Sequence, residues 1–396
     1  MRLVVLLIVT GVALLGDLAG VFTGALDHPA IEYSTRPVHD PVAALNAKLD
    51  RDQTLAFEPE HGYLKAVLDA LAIPVESQIA VFAKNSFQQH MINPANARAI
   101  YFNDGVAVGW VRGGPLLEIA SEDPEQGTIF YTLNQWKSDS PRLKRRDDCL
   151  ICHESYDTLG VPGMLLRSVY PAPNGFVMRE LGSYNVDHRV PFAHRWGGFF
   201  VTGKTDALSH LGNAAFQSES EAQSVETNLK GYLAPSSDIV ALMVFDHQMH
   251  MTNLLTRIGW ETRFAQHEKT MTPEKLAGMA KEVADYLLFS EEARISSPVE
   301  GTAGFEARFA AQGPFDKKGR SLRQFDLSRR MMRYPCSYMI YSAAFDGLPS
   351  ETKDAIYRRM WSVLTGQAAS RLSEADRRAI LEILRETKND LPQFFL

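Results

Sequence analysis

The chain has 396 residues, 45% hydrophobic and 22% charged, ordinary proportions for a globular protein with one large core or two to three domains. A formal net charge of −6, with no basic run interleaved with aromatics, argues against a nucleic-acid partner. No low-complexity tract or internal repeat is present, which sets aside repeat architectures and disordered tails.

In chain order, Arg2 precedes an apolar run from Leu3 to Leu15, broken at Gly16-Asp17, with small residues at Thr23-Gly24-Ala25. Residues 1–25 have the layout of an export signal with a cleavable end. The uninterrupted run is short for a membrane span, so an uncleaved anchor is the alternative, and membrane contact is expected only in that case. A weakly structured lead-in follows over 27–53. Residues 26–136 then read as β-rich. Strands are expected over 98–102 and 106–111 around an Asn103-Asp104-Gly105 turn, and again over 116–120 and 128–133.

Next comes Cys149-Leu150-Ile151-Cys152-His153, a C-x-x-C-H pattern in a chain with only three cysteines. The pattern joins a polypeptide to haem: two thiols add to the vinyl groups and the adjacent imidazole becomes the proximal iron ligand. A zinc knuckle would want a second ligand cluster, and the only other thiol is the distant Cys336. A thioredoxin-like redox pair would follow a buried strand, whereas Lys144-Arg145-Arg146-Asp147-Asp148 reads as a charged loop. A strained disulfide between Cys149 and Cys152 is the remaining alternative. Cys336, beside an apolar stretch, reads as a small buried side chain.

By this motif and the leader, the chain resembles the c-type cytochromes. The resemblance implies one covalent haem c per chain on Cys149 and Cys152, with His153 on the iron. It also implies attachment outside the bacterial cytoplasm, hence a periplasmic or otherwise exported protein. It is silent about the fold. Small members of that group carry the motif near the start of the domain and a methionine ligand some tens of residues later. Here about 120 residues precede the motif and more than 240 follow, and no second motif resembles that of the dihaem peroxidases.

The region 137–265 is read as haem-binding, with a hairpin expected from 165–170 and 176–179 around Asn174-Gly175. Within it, 187–203 concentrates imidazoles, guanidiniums, a tryptophan and a Gly-Gly pair. His188 and Arg195 are the candidate acid/base residue and charge-stabilising cation of a peroxidase-like site, with a structural or propionate-binding role as the alternative. Residues 238–257 form a helical stripe on which His247 sits on an apolar face. His247 is therefore a candidate distal iron ligand, against a satisfied core histidine. Asp246, His250, Asn253 and Arg257 read as its solvated face. Helices are expected over 272–289, 351–364 and 373–386, making 266–396 a helical end, packed as one unit with the haem region.

The expected class is α+β: a β-rich front, a central haem segment and a predominantly helical C-terminal part. Two functions follow. One is an exported monohaem protein that transfers electrons to or from a redox partner protein. The other is a monohaem oxidoreductase of peroxidase-like type, acting on a small molecule at the iron.

Overall fold

Period-two alternation of side chains between residues 98 and 134 builds a sheet that separates two layers. The computed structural model describes residues 25–51, 54–205 and 207–395, so the expected leader lies almost wholly outside the described residues. Before the sheet come two helices, α1 (Pro41–Leu49) and α2 (Leu64–Ala70). The lead-in is therefore more ordered than its sequence suggests. Asp40 begins α1 by accepting from the backbone N–H groups of Val42 and Ala43, an N-cap reinforced by Pro41.

The sheet contains β1 (Ile79–Val81), β2 (Arg98–Phe102), β3 (Val106–Val111), β4 (Leu116–Asp123), β5 (Gly127–Asn134) and β6 (Lys144–Arg145). It is completed much later in the chain by a two-residue strand at Phe199–Phe200, giving seven strands with every neighbouring pair antiparallel. The β2–β3 turn forms as expected because Asn103 Oδ1 accepts from Gly105 N and Val106 N at 3.1 and 2.9 Å. One face, with Tyr101, Val108, Trp110, Ile119 and Leu133, packs under Val42, Leu45, Leu64 and Val67 of the first two helices. The opposite face meets the long helix described below and carries the motif at its β5–β6 end. The run before the motif is thus a short, unburied edge strand rather than a loop.

Within the motif Leu150–His153 form a single helical turn, α3, with Cys149 as its N-cap. Beyond it β7 (Leu166–Val169) pairs with β8 (Ser183–Val186), which corrects the expected hairpin partner. The Asn174-Gly175 turn does form, with Gly175 N donating to Ala172 O at 2.8 Å. A short ladder runs back from it, with Ala172 N donating to Phe176 O at 2.7 Å and Met178 N to Tyr170 O at 2.9 Å around a Pro171–Val177 bridge, so the expected hairpin forms in part. The Phe199–Phe200 strand is β9. It follows Gly197, where a Cβ would stand 2.1 Å from Val169 O, so only glycine lets the two backbones meet. A small hairpin of Ala214–Ser218 and Glu221–Ser224 then leads to the main helix.

That helix, α4 (Ile239–Glu268), runs 30 residues and is buried on nearly every side. The helices α5 (Pro273–Leu287), α6 (Phe305–Ala310), α7 (Ala343–Asp346), α8 (Ser350–Leu364) and α9 (Glu374–Thr387) follow. Thr272 and Ser373 cap α5 and α9 through their side chains, close to the expected starts. The helical end is interrupted: 288–342 is mostly irregular, punctuated by Pro298, Pro314 and Pro335 and several glycines. The whole is α+β with an antiparallel sheet. No described helix is long and apolar enough to cross a membrane.

Candidate haem-attachment site and the adjoining cavity

Cys149 is half-buried and Cys152 exposed, and neither is in a disulfide. Burial, aided by the charge of Asp148, pushes the Cys149 thiol up to about 11, so it rests as the neutral thiol. Cys336 is fully buried in the helical core around α4, where burial pushes its thiol upward too.

His153 is the most constrained member of the motif. Its Nδ1 donates to Gly163 O at 2.9 Å, because a carbonyl can only accept. Gly163 N in turn donates to His153 O at 2.9 Å. The ring packs on Phe130 with centroids 4.7 Å apart. Burial lowers its pKa, which keeps the imidazole neutral. Nε2, the remaining nitrogen, carries the free lone pair and has no hydrogen-bond partner among the described residues. The loop itself is tied to α4: Asn253 Nδ2 donates to Met164 O at 2.7 Å, and a Cβ on Gly163 would lie 2.1 Å from Asn253 Oδ1.

Two charged residues of the sheet stand beside this ring. Arg98 reaches across Gly109, where a Cβ would meet its Nε at 2.6 Å, and stands 3.0 Å from Glu118. Arg98 Nε and both Glu118 carboxylate oxygens are buried without a hydrogen-bond partner among the described residues. The cations before the motif are paired as well, Arg145 with Asp147 at 2.8 Å and Arg146 with Asp148 at 2.6 Å. Ile151, between the two thiols, is 85% exposed, and nearby Tyr156 is 88% exposed. Two free thiols three residues apart, a braced imidazole with its outer nitrogen unused and exposed apolar surface together fit a covalent haem.

The structure joins the two clusters that the sequence shows separately, but away from the motif. Arg195 Nη1 lies 3.3 Å from Asp246 Oδ2, which also accepts from Trp196 Nε1 at 3.0 Å. Arg195 further donates to Val190 O and His188 O. His188 Nδ1 and His247 Nδ1 share a hydrogen bond of 2.7 Å, and His247 Nε2 bonds Ser337 Oγ at 2.6 Å. Arg195 and His188 are each only 2% exposed and His247 is fully enclosed, stacked on Tyr286 and Phe289. Burial pulls His188 well below its usual value and His247 down to about 3, and lifts Asp246 to about 7 against the pull of Arg195. An iron ligand must present a free lone pair, and both His247 nitrogens are engaged within the protein. Likewise His188 and Arg195 contribute to a packed ion-pair and histidine network rather than to an open site.

The open site is elsewhere. A cavity of about 480 Å³ is lined by the 156–166 loop that braces His153, by β8 and its continuation, and by α4. Its polar end is Asp187, Arg189 and His250: Arg189 bonds the Asp187 carboxylate at 2.6 Å and donates to His250 Nε2 at 3.1 Å. His250, Asn253 and Arg257, which read in sequence as a solvated face, therefore line a partly open cavity. The helix period alone could not show this, since it gives a face but not what covers it. No protein-family model, curated protein or solved structure matches this chain.

Proposed function

We propose that the chain is an exported, periplasmic haem c protein that transfers electrons through a single haem. Cys149 and Cys152 hold it as thioethers and His153 supplies the proximal nitrogen. The observation that carries this is the fixed tautomer of His153: Gly163 O takes the Nδ1 proton and leaves Nε2 unprotonated and unused. Bound there, the haem supplies one-electron redox chemistry. The chain's own contribution is to hold that imidazole rigid, since both hydrogen bonds to Gly163 and the contact with Asn253 restrict it. Arg98, beside the ring, is held in an ion pair with Glu118 at 3.0 Å.

A second reading, a monohaem oxidoreductase acting on a small molecule, is favoured by one observation: the loop that braces His153 is also a wall of the cavity. The visible spectrum separates the two. A low-spin spectrum indifferent to carbon monoxide and peroxide means two protein ligands and an electron carrier. Ready ligand binding means an open sixth position and the oxidoreductase. For the common premise, Cys149→Ala with Cys152→Ala, expressed in a host that matures haem c, should lose all haem staining on a denaturing gel. Staining that persists in the double variant overturns the attachment.

A further inference from the structure

We propose that Asn253 is a positioning residue for the iron's proximal ligand: by holding the Gly163–Met164 strap in place, it fixes the hydrogen bond of His153 and so sets the reduction potential. This rests on the haem reading and deepens it, because the residue belongs to α4 and lies 89 positions beyond the carbonyl it holds.

The chain leaves the motif after His153 and returns beside it at Gly163. Gly163 N donates to His153 O and Gly163 O takes the Nδ1 proton, so the ring and the strap move together. Up to that point the strap is tied locally. Thr158 Oγ1 donates to Val161 O at 2.8 Å, and Thr128 N of β5 donates to Pro162 O at 3.1 Å. Beyond it the tie is Asn253, whose Nδ2 donates to Met164 O at 2.7 Å.

The amide acts on the strap from two sides. Met164 O can only accept, so the side-chain atom facing it is nitrogen, and Oδ1 is turned toward Gly163. There a Cβ would stand 2.1 Å from Oδ1 and 2.8 Å from Cγ, so the amide lies directly against the glycine backbone. Asn253 is 3% exposed and has no room to swing away. It therefore pulls on one residue and blocks the other. A leucine has nearly the same shape and no donor. Thr256, one turn further along α4, approaches the neighbouring Gly127 of β5, where a Cβ would stand 2.5 Å from its Cγ2. It supplies a comparison on the same helix face that does not touch the Gly163–Met164 peptide.

A proton shared from Nδ1 to a carbonyl makes an imidazole more basic toward a metal at its other nitrogen, which favours the ferric state. Loosening the strap weakens that bond and moves the potential upward.

Two measurements on the full-length chain test this: the reduction potential of the haem protein, and ¹⁵N NMR of the histidines in chain prepared without haem. Asn253→Leu should raise the potential by about 59 mV, a tenfold change in the ferric-to-ferrous ratio. At about pH 8, where histidines are neutral, His153 should change from the Nδ1–H tautomer to a mixture of both. Gly163→Ala, which forces strap and amide apart from the other side, should do the same. Thr256→Ala should change neither quantity. An unmoved potential and tautomer in Asn253→Leu or Gly163→Ala, or equal shifts in Thr256→Ala, overturns the proposal, because a merely structural Asn253 would alter stability alone. Should the first two variants fail to fold, the unaltered protein decides. The side-chain amide protons of Asn253 should exchange with solvent at least about a hundredfold more slowly than those of the exposed Asn389, and equal rates overturn the proposal. If the chain takes up no haem, the haem reading fails while the tautomer still shows whether Asn253 orients His153. Haem staining with an unmoved tautomer and potential sinks the role of Asn253 alone.

Discussion

At Arg195 a single side chain decides between two accounts of the 187–203 segment. As a catalytic cation it would be exchangeable at little cost in stability. As the structure has it, it is the counter-charge of a carboxylate with no access to water. Removing one member of a buried pair leaves the other uncompensated, at a cost of about 3–5 kcal/mol. Arg195→Met should therefore lower the urea midpoint sharply, and Arg195→Met with Asp246→Leu should recover much of the loss because both charges go together. A single variant of unchanged stability would return Arg195 to a catalytic role. The same distinction separates His247 from His153. Both are largely withdrawn from water and neutral, but one has both nitrogens bonded inside the protein and the other keeps one outward.

Helix α4 shows the logic at the next scale. Its Asp238 cap is wholly buried, and the two carboxylate oxygens serve different parts of the chain. Oδ1 accepts from Val240 N and Ala241 N, while Oδ2 accepts from Thr302 N and Ala303 N at 2.7 and 2.9 Å. Asp238→Ala strands donors at both places, so its cost in chemical denaturation should be about 2–4 kcal/mol, above the ~1 kcal/mol typical of a cap. Ser373→Ala, at the exposed start of α9, should cost about 1 kcal/mol or less. If the two substitutions cost the same, the 301–303 loop contributes nothing to the helix. This contrast also marks what was legible in the sequence. Ser373, Thr272 and the Asn103 turn act through neighbours one to three residues away, and so do the motif thiols; all could be read from spacing. The β9 strand, the β7–β8 pairing and the covering of His250 depend on partners far along the chain. Spacing carries no information about those. The helix of 238–257 was readable as amphipathic, yet the polar side of α4 is partly covered as well, because β8 and the 156–166 loop form the opposite wall of the cavity it lines.

Over the whole molecule, acid should act through histidines that the fold keeps neutral. His250 is the tractable case. Burial is the largest influence; the neighbouring cations Arg189 and Arg257 add to it, Asp187 opposes it, and the result is a value of about 4. The unfolded chain titrates near 6.5. A folded value below the unfolded one means that the neutral form is favoured in the native state. The contribution to stability is then fully present above pH 6.5 and is lost as pH falls toward 4. Carboxyls such as Glu122 and Glu292, raised by burial to about 8 and about 7, act in the opposite sense over the same range. The total pH profile therefore mixes both, and the informative quantity is a difference between two chains that share those carboxyls. In His250→Gln the histidine contribution is gone while the carboxyls remain. Between pH 7 and pH 4.5 the unaltered protein should lose about 2–3 kcal/mol more than the variant, the equivalent of two pH units at about 1.4 kcal/mol each. Urea unfolding at the two pH values measures it. Parallel losses would mean that His250 is protonated in the folded state at pH 4.5, with Arg189 displaced from its Nε2.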